Sequence, residues 1–295
     1  MDVDAHGSAG REGVQMSLAD YHERFAACYD TFYADRDVLA DVQYAAGLLK
    51  LDASSNSSAH VLDLGCGSGS HVLAFARLGI DATGIDKSPA MIARALAKPV
   101  PKGTAGVRFV SGTFRDFCAE TNGQTFDGVV SIFQVFNCME SAGEMLAHLK
   151  LVRSKLAVGS RFLIDLWNGA AVFADDPRPC ERRFRDTEDP ETPACHRCHN
   201  EDPSKEIVRV TTPQLDRINQ RCTLHYRVRT LNAATRETLN EFESVHILLF
   251  LTPVQYRHLF ELADLTIIDE FRRGQPGTPI TDRDWYISYL LQSDT

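Results

Sequence analysis

Val61-Leu62-Asp63-Leu64-Gly65-Cys66-Gly67-Ser68-Gly69 decides the fold of this 295-residue chain. A short apolar run, His60 to Gly65, ends in three glycines at alternate positions. Helical periodicity follows from His71 to Leu78. Without Cβ atoms the backbone can turn sharply out of a strand and let a ligand lie against it. The helix beyond offers unpaired N–H groups and the positive end of its dipole. A second apolar run, 80–86, closes on Asp86, 21 residues after Gly65. A carboxylate there can accept both hydroxyls of a ribose.

Working outward, Ser88-Pro89 opens a helix with serine as cap and proline at the first helical position. Segments 107–112, 128–133 and 161–167 read as further strands, and 144–156 as a helix. Near-continuous apolar strands alternating with helices predict an α/β fold with a parallel sheet covered on both faces. Ahead of it, Leu18, Tyr21, Phe25 and Tyr29 recur at helical spacing, and Val38 to Leu51 repeats the pattern. DASSNSSA (52–59) reads as a loop. Residues 173–205 hold five prolines and dense charge, which predicts a long loop. Segments 207–212, 222–231 and 243–251 alternate as antiparallel strands do. A helix over 252–263 and strands at 265–271 and 284–291 complete the chain.

Composition narrows the function classes. Apolar residues make up 44% and charged residues 24%, as in a globular protein with a core. A net charge of −9 argues against binding a phosphate backbone. No stretch approaches the roughly 20 apolar residues that span a bilayer. The first residues carry no apolar export signal, so a cytoplasmic location with reduced thiols is expected for the eight cysteines. The oligomeric state stays open, a homodimer included.

Two ligand classes compete for the glycine turn. The dinucleotide fingerprint is G-x-G-x-x-G/A. Here the spacing is G-x-G-x-G, with Asp63 two residues ahead of the first glycine. A carboxylate is poorly suited beside a pyrophosphate but well suited to a cationic ligand, such as one bearing an amino group and a sulfonium. A nicotinamide-binding oxidoreductase remains the less favoured alternative.

The run VLDLGCGSGSHVLAFARLGIDATGIDKSPAMIARA (61–95) resembles the first two motifs of class I S-adenosylmethionine-dependent methyltransferases. The likeness extends through FVSGTFRDF (109–117) and FDGVVSIFQVFNCM (126–139). More narrowly, the chain resembles small-molecule N-methyltransferases of the aminosugar N,N-dimethylating and glycine-type group. That likeness rests on YDTFYADRD (29–37), RFLIDLWNG (161–169) and VHILLFLTPVQYRHLFELADL (245–265).

The resemblance implies roles. Gly65, Gly67 and Gly69 would hold the methionine part of the cofactor, with Asp63 ordering the turn. Asp86 would take the ribose hydroxyls, and Lys87 and Met91 would line the adenine edge. Where the family has Gly-Asp after the third strand, this chain has Gly112-Thr113-Phe114. Thr113 offers the adenine a neutral partner, and backbone N–H groups can share that role. Ile132 and Phe133 would lie under the cofactor, Tyr33 over it, and Arg36 would pair its carboxylate.

Methyl transfer needs an in-line nucleophile and exclusion of water. An amine must also lose a proton, which an imidazole or carboxylate can accept. Candidate acceptor-side groups are Tyr33, Asp165, Trp167, Asn168, His225 and His246. Of the two histidines, the resemblance favours His246 as a base. No carboxylate cluster follows the fourth strand, so no metal is expected there. Cys195-His196-Arg197-Cys198-His199 matches a haem-attachment pattern but lacks its context. With Cys180 it falls short of a paired zinc motif.

The expected organisation is a tail over 1–16, a methyltransferase domain over 17–172 plus 252–295 with a helical N-terminal cap, and an inserted lid over 173–251. The expected activity is methylation of nitrogen on a small metabolite, an amino sugar or natural-product amine. O-methylation and a catalytically silent binding protein are the alternatives within this class.

Overall fold

In the computed structural model the described residues are 18–51, 59–100, 102–184 and 204–293, with side chains from Glu23 onward. The tail, the 52–58 stretch and the Cys195–His199 motif lie outside them.

The repeating unit begins with β1 (His60–Leu64), α3 (Ser70–Arg77) and β2 (Asp81–Asp86), preceded by helices α1 (Leu18–Phe32) and α2 (Val38–Leu49). It continues through α4 (Pro89–Ala97), β3 (Val107–Ser111), α5 (Phe114–Glu120), β4 (Phe126–Ser131), α6 (Ala142–Lys155) and β5 (Leu156–Trp167). After α7 (Gly169–Ala174) come β6 (Cys180–Phe184), β7 (Lys205–Asp216), β8 (Arg221–Asn232) and β9 (Thr238–Leu249), then α8 (Pro253–Leu262), β10 (Thr266–Arg272) and β11 (Tyr286–Gln292).

Seven strands form one sheet in the order β10-β11-β5-β4-β1-β2-β3. The pairs among β1 to β5 are parallel, whereas β11 runs antiparallel between β5 and β10. Successive strand residues serve opposite faces. Val61 joins the core under α2, α3 and α4, and Leu62 joins the core under α5, α6 and α8. This is the doubly covered α/β sheet read from the sequence.

Chain direction across the sheet changes between β1 and β4, because β1 leads outward to β2 and β3 before the chain returns to β4. Open α/β sheets bind ligands at such a switch point, beyond the carboxyl ends of the strands. There the glycine turn leaving β1 meets the turn leaving β4. A Cβ on Gly65 would stand 2.6 Å from the Val135 side chain, and Gly65 has φ +73°. Phe133 and Gln134 also sit at positive φ, 68° and 57°. Such backbone is uncommon for non-glycine residues and concentrates at functional sites.

The remaining strands form a four-stranded antiparallel sheet, β6-β7-β8-β9. Its first strand corrects the expectation of an unbroken loop over 173–205: α7 runs to Ala174, and β6 pairs along β7 from Cys180↔Thr211 to Phe184↔Ile207. Four of the five β6 residues are exposed, so a single-strand pattern gave no alternation to read. The inner face of this sheet packs on α1 through Phe184, Ile207, Val228 and Phe242. It packs on the end of β5 through Cys222, Leu224 and Leu248, which touch Trp167. Tyr226 belongs to both contacts and so stands over the gap between them.

A buried polar node ties this sheet to the main one. The Asn137 amide, fully buried, donates to Leu249 O at 2.7 Å and to the Tyr256 hydroxyl at 2.9 Å, and its oxygen accepts from Trp167 N–H at 3.0 Å. Tyr256 in turn donates to Trp167 O. The turn after β4, the end of β5 and the end of β9 are thereby held in one geometry.

Candidate active site

The glycine turn is fixed by backbone bonds. Gly65 and Cys66 N–H groups donate to Ile85 O at 2.8 and 3.0 Å, and Gly67 N–H donates to Asp86 Oδ2 at 2.9 Å. The other Asp86 oxygen accepts from Ser88 N–H at 2.8 Å. Asp86 therefore stands at the end of β2 with its carboxylate already oriented by these two N–H groups. At Gly69, φ is +77° and a Cβ would stand 2.6 Å from the Phe109 ring. At Gly67 the nearest atoms to such a Cβ belong to the Tyr29 ring, 3.5 Å away.

Tyr29 lies on α1, which clasps the turn from above. Ser68 Oγ donates to Asp30 at 2.5 Å, and Asp30 also accepts from Arg94 at 2.9 Å and Lys98 at 2.9 Å. Asp30 and Tyr29 were missed by the sequence reading. Their signal was present, as both lie in the YDTFYADRD segment that carried the resemblance.

Beneath α1 lies a cavity of about 390 Å³. Its walls include Tyr29, Tyr33, Arg36, Asp63, His71 and Phe133. Six sequence-chosen residues, Tyr33, Arg36, Asp63, Gly65, Ile132 and Phe133, therefore meet around one space. Asp63 is 2% exposed, and among the described residues its Oδ2 has no hydrogen-bond partner. Burial pushes its carboxyl up to about 6, a rise that His71 opposes and Asp86 adds to. An unsatisfied buried acceptor is costly, and a cation placed beside it would remove that cost. The Arg36 guanidinium lies 3.3 Å from the centre of the Phe133 ring, and Tyr33 meets the same ring edge-on at 5.3 Å. A ligand with an ammonium, a sulfonium and a carboxylate matches this set of Asp63, aromatic faces and Arg36.

Other sequence choices fall elsewhere. Lys87 is exposed where the chain enters α4. The Met91 side chain packs with Phe25, Cys28 and Phe32 between α1 and the small sheet. Phe114 belongs to the core under α6 and stacks on His148 at 6.4 Å. The Thr113 hydroxyl caps α5, accepting from Asp116 N–H at 3.2 Å and donating to Asp116 Oδ2 at 2.6 Å. These contacts turn the hydroxyl to the helix rather than to an adenine.

Asp165 is 5% exposed and paired: Arg273 Nε stands 2.9 Å from Oδ2, and Ser288 Oγ donates to Oδ1 at 2.7 Å. Burial raises its carboxyl above the usual range although Arg273 and Ser288 pull it down. Its role is to hold Arg273, which leans over Phe133 and Tyr286 at 5.5 and 5.8 Å. Asn168 corrects its assignment to the acceptor: it is fully buried, caps α7 through Ala170 N–H at 3.0 Å and donates to Thr281 O at 2.8 Å. Trp167 is buried with its ring edge-on to Trp285 at 5.9 Å.

The histidines separate by strand register. Leu224↔His246 and His225↔Val245 are cross-strand pairs. His246 therefore shares the inner face with Leu224, whereas His225 points outward and is exposed, which corrects its assignment to the acceptor. The His246 ring lies 4.8 Å from Phe25 and 5.0 Å from Tyr226, and its Nε2 is 3.1 Å from Ser244 Oγ.

The same inner face carries Arg209, a residue the sequence reading did not single out. It is 8% exposed, its guanidinium lies 4.7 to 5.5 Å from the rings of Phe32, Tyr226 and Phe184, and among the described residues its Nε has no partner. Arg182 is its neighbour across β6 and β7. Among the described residues Arg209 has no carboxylate partner. Among the same residues no helix is long and apolar enough to cross a membrane.

Comparison with known proteins agrees with this geometry. Residues 61–154 match the family described as methyltransferase domain. The chain is 25% identical, over 259 residues that cover 87% of it and 95% of the relative, to dTDP-3-amino-3,4,6-trideoxy-alpha-D-glucopyranose N,N-dimethyltransferase of Streptomyces venezuelae. Its fold matches an S-adenosylmethionine-dependent methyltransferase from Clostridium acetobutylicum ATCC 824, with TM-score 0.70 at 15% identity over 93% of this chain and 99% of that one. It also matches a sugar N-methyltransferase from Streptoalloteichus sp. ATCC 53650, with TM-score 0.66 at 18% identity over the whole of both chains. S-Adenosylmethionine is thus the cofactor that Asp63 and the glycine turn suit: the chain carries a methyltransferase domain over residues 61–154, is similar over most of its length to an aminosugar N,N-dimethyltransferase, and shares the fold of S-adenosylmethionine-dependent methyltransferases.

Proposed function

We propose that the acceptor is the amine nitrogen of a small metabolite of the amino-sugar kind, seated between the glycine-turn cavity and the inner face of the small sheet. The observation that carries this reading is the set of groups turned inward there: Tyr226 over the gap, His246 beside it, and the buried Arg209 with no carboxylate partner among the described residues. The relative of known name, whose acceptor is an amino sugar linked to dTDP, supports it. Arg209 and Arg182 suit an anionic part of such an acceptor, because a guanidinium pairs phosphate oxygens in a fixed geometry.

When bound, S-adenosylmethionine supplies a methyl group already activated by its sulfonium. The residues of this chain then have three tasks. Asp63, Asp86 and Arg36 hold the cofactor's charged and hydroxyl groups. Tyr33 and Phe133 line the cavity around the reacting centre and leave little room for water, which makes catalysis mainly a matter of positioning. His246, tethered to Ser244, accepts the proton that the amine sheds. The inserted small sheet acts as the lid that brings these last groups over the site.

The test is turnover with paired acceptors that differ only in carrying an amine or a hydroxyl at the same carbon. The amine should give an N-methylated product by mass spectrometry. A methyl ether from the hydroxyl partner at equal or greater rate would overturn the nitrogen assignment.

A further inference from the structure

The end of β5 bears on the cavity without lining it. Asp165 and Arg273 stand outside the cavity wall, and both address Phe133, which belongs to it. Ser288 on β11 is the cross-strand partner of Asp165 and is 1% exposed. Its Oγ donates to Asp165 Oδ1 at 2.7 Å, and Arg273 Nε stands 2.9 Å from Oδ2. The backbone N–H of Phe133 is a third donor facing this carboxylate. One buried side chain thus gathers groups from the turn after β4, from β11 and from the residue that follows β10. Arg273 is also fixed at its backbone, where its N–H donates to Tyr286 O at 3.2 Å.

Phe133 needs such holding. Its φ is 68°, and Gln134 follows at 57°. Non-glycine residues there cost free energy and persist only where their surroundings over-determine them. The ring is held as well as the backbone. The Arg36 guanidinium lies 3.3 Å from its centre and that of Arg273 lies 5.5 Å away. A guanidinium near an aromatic face is attracted to it. Each of these two is tethered to its own carboxylate, Arg36 to Asp41 on α2 and Arg273 to Asp165 on β5. Asp41 reaches only the ring, through Arg36. Asp165 reaches both parts of Phe133, the backbone through the N–H and the ring through Arg273.

A buried ion pair is by itself a weak source of stability, because desolvation offsets the attraction. Fastening β5 to β10 therefore does not account for Asp165. The wall residue that it holds does.

We infer that Asp165 is a positioning residue: it fixes the backbone turn and the ring of Phe133, and through them the wall against which the cofactor lies. This rests on the reading that Phe133 lies beside the cofactor. No bond is made or broken and no proton moves. The contribution is geometry set before the ligand arrives.

The experiment is a double-mutant cycle read in S-adenosylhomocysteine affinity by calorimetry. Asp165→Asn removes the charge that holds Arg273. Phe133→Gly removes the ring and the backbone strain together, since glycine adopts positive φ freely. Each single variant should weaken S-adenosylhomocysteine by about tenfold. The double variant should bind within about twofold of Phe133→Gly, because Asp165 then has nothing left to position. Losses that multiply to about a hundredfold overturn the inference, as does Asp165→Asn with a lower unfolding temperature and unchanged affinity. Unchanged affinity in Phe133→Gly overturns the reading that Phe133 meets the cofactor, and the inference with it. Weakened affinity in Phe133→Gly beside multiplying losses overturns the inference alone. Thermal unfolding checks that each variant is folded. Should Asp165→Asn fail to fold, Ser288→Ala takes its place in the cycle. It removes one donor and keeps both charges, so a loss of about twofold to threefold should appear in the intact chain and vanish in the Phe133→Gly background. A loss that persists there, or none in the intact chain, overturns the inference.

Discussion

The two sides of the crevice are built differently. On the main sheet the site is made by backbone: Gly65, Gly67 and Gly69 at positive φ, N–H groups tied to Ile85 and Asp86, and one orphaned carboxylate, Asp63. On the small sheet the facing surface is made of side chains on a regular ladder: Tyr226, His246 and Arg209 share one face of three strands. A backbone site accepts one ligand geometry and resists substitution. A ladder face can exchange its side chains without disturbing its hydrogen bonds. The first construction suits a cofactor, and the second suits the proposed acceptor.

That contrast can be broken at Asp86. Its carboxylate organises the turn, and on the reading that it also takes the ribose hydroxyls Asp86→Ala should weaken S-adenosylhomocysteine by roughly ten- to a hundredfold in calorimetry. On the opposite side, His246→Ala should leave that affinity unchanged and lower turnover by about tenfold to a hundredfold, as loss of a general base does. If both variants damaged cofactor binding equally, the two sides would not be separate constructions.

Asp63 sharpens the contrast, because it carries a conflict the ladder face does not. Its carboxyl titrates near 6, above the ordinary aspartate range. A group raised in the folded state favours folding when protonated, so its contribution is full at low pH and is lost as pH rises through about 6. At neutral pH the ligand-free protein therefore holds an unfavourable buried charge. Asp63→Asn should raise ligand-free stability above pH 6 by roughly 1–3 kcal/mol, with little change near pH 4, in denaturant titrations. The same variant should weaken S-adenosylhomocysteine. In the unsubstituted chain affinity should fall as pH drops below about 6, because the ligand's ammonium group must then displace a proton. Greater stability with unchanged affinity would remove Asp63 from the site.

The backbone-built side was largely legible in the sequence, because each requirement falls on a short contiguous string. Glycine spacing marks the turn, and strand length places Asp86 at the next strand end. The ladder-built side was legible only as alternation. His246 and His225 are 21 residues apart in sequence, and only the register Leu224↔His246 decides which faces inward. Arg209 looked like an ordinary charge in a mixed segment, because its aromatic neighbours Phe32, Phe184 and Tyr226 come from three distant elements. Asn168 and Asp165 were read from their place at the end of β5. Position alone could not show that Thr281, Arg273 and Ser288, more than 100 residues later, occupy their polar atoms.

The smallest expected effect concerns Thr113, where resemblance and geometry give opposite answers. By its place after β3 it should meet the adenine. By its contacts it caps α5 through Asp116. A cap lost from a seven-residue helix costs about 1 kcal/mol, whereas a lost adenine bond costs affinity and no stability. Thr113→Val keeps the shape and removes the hydroxyl, so the two roles part cleanly. The geometry requires a small loss in denaturant midpoint with S-adenosylhomocysteine affinity unchanged within about twofold, because water can replace one neutral hydrogen bond at an exposed position. A tenfold loss of affinity with the midpoint unmoved would mean that the hydroxyl leaves Asp116 when the cofactor arrives, and that the third-strand end belongs to the cofactor site as the first two do.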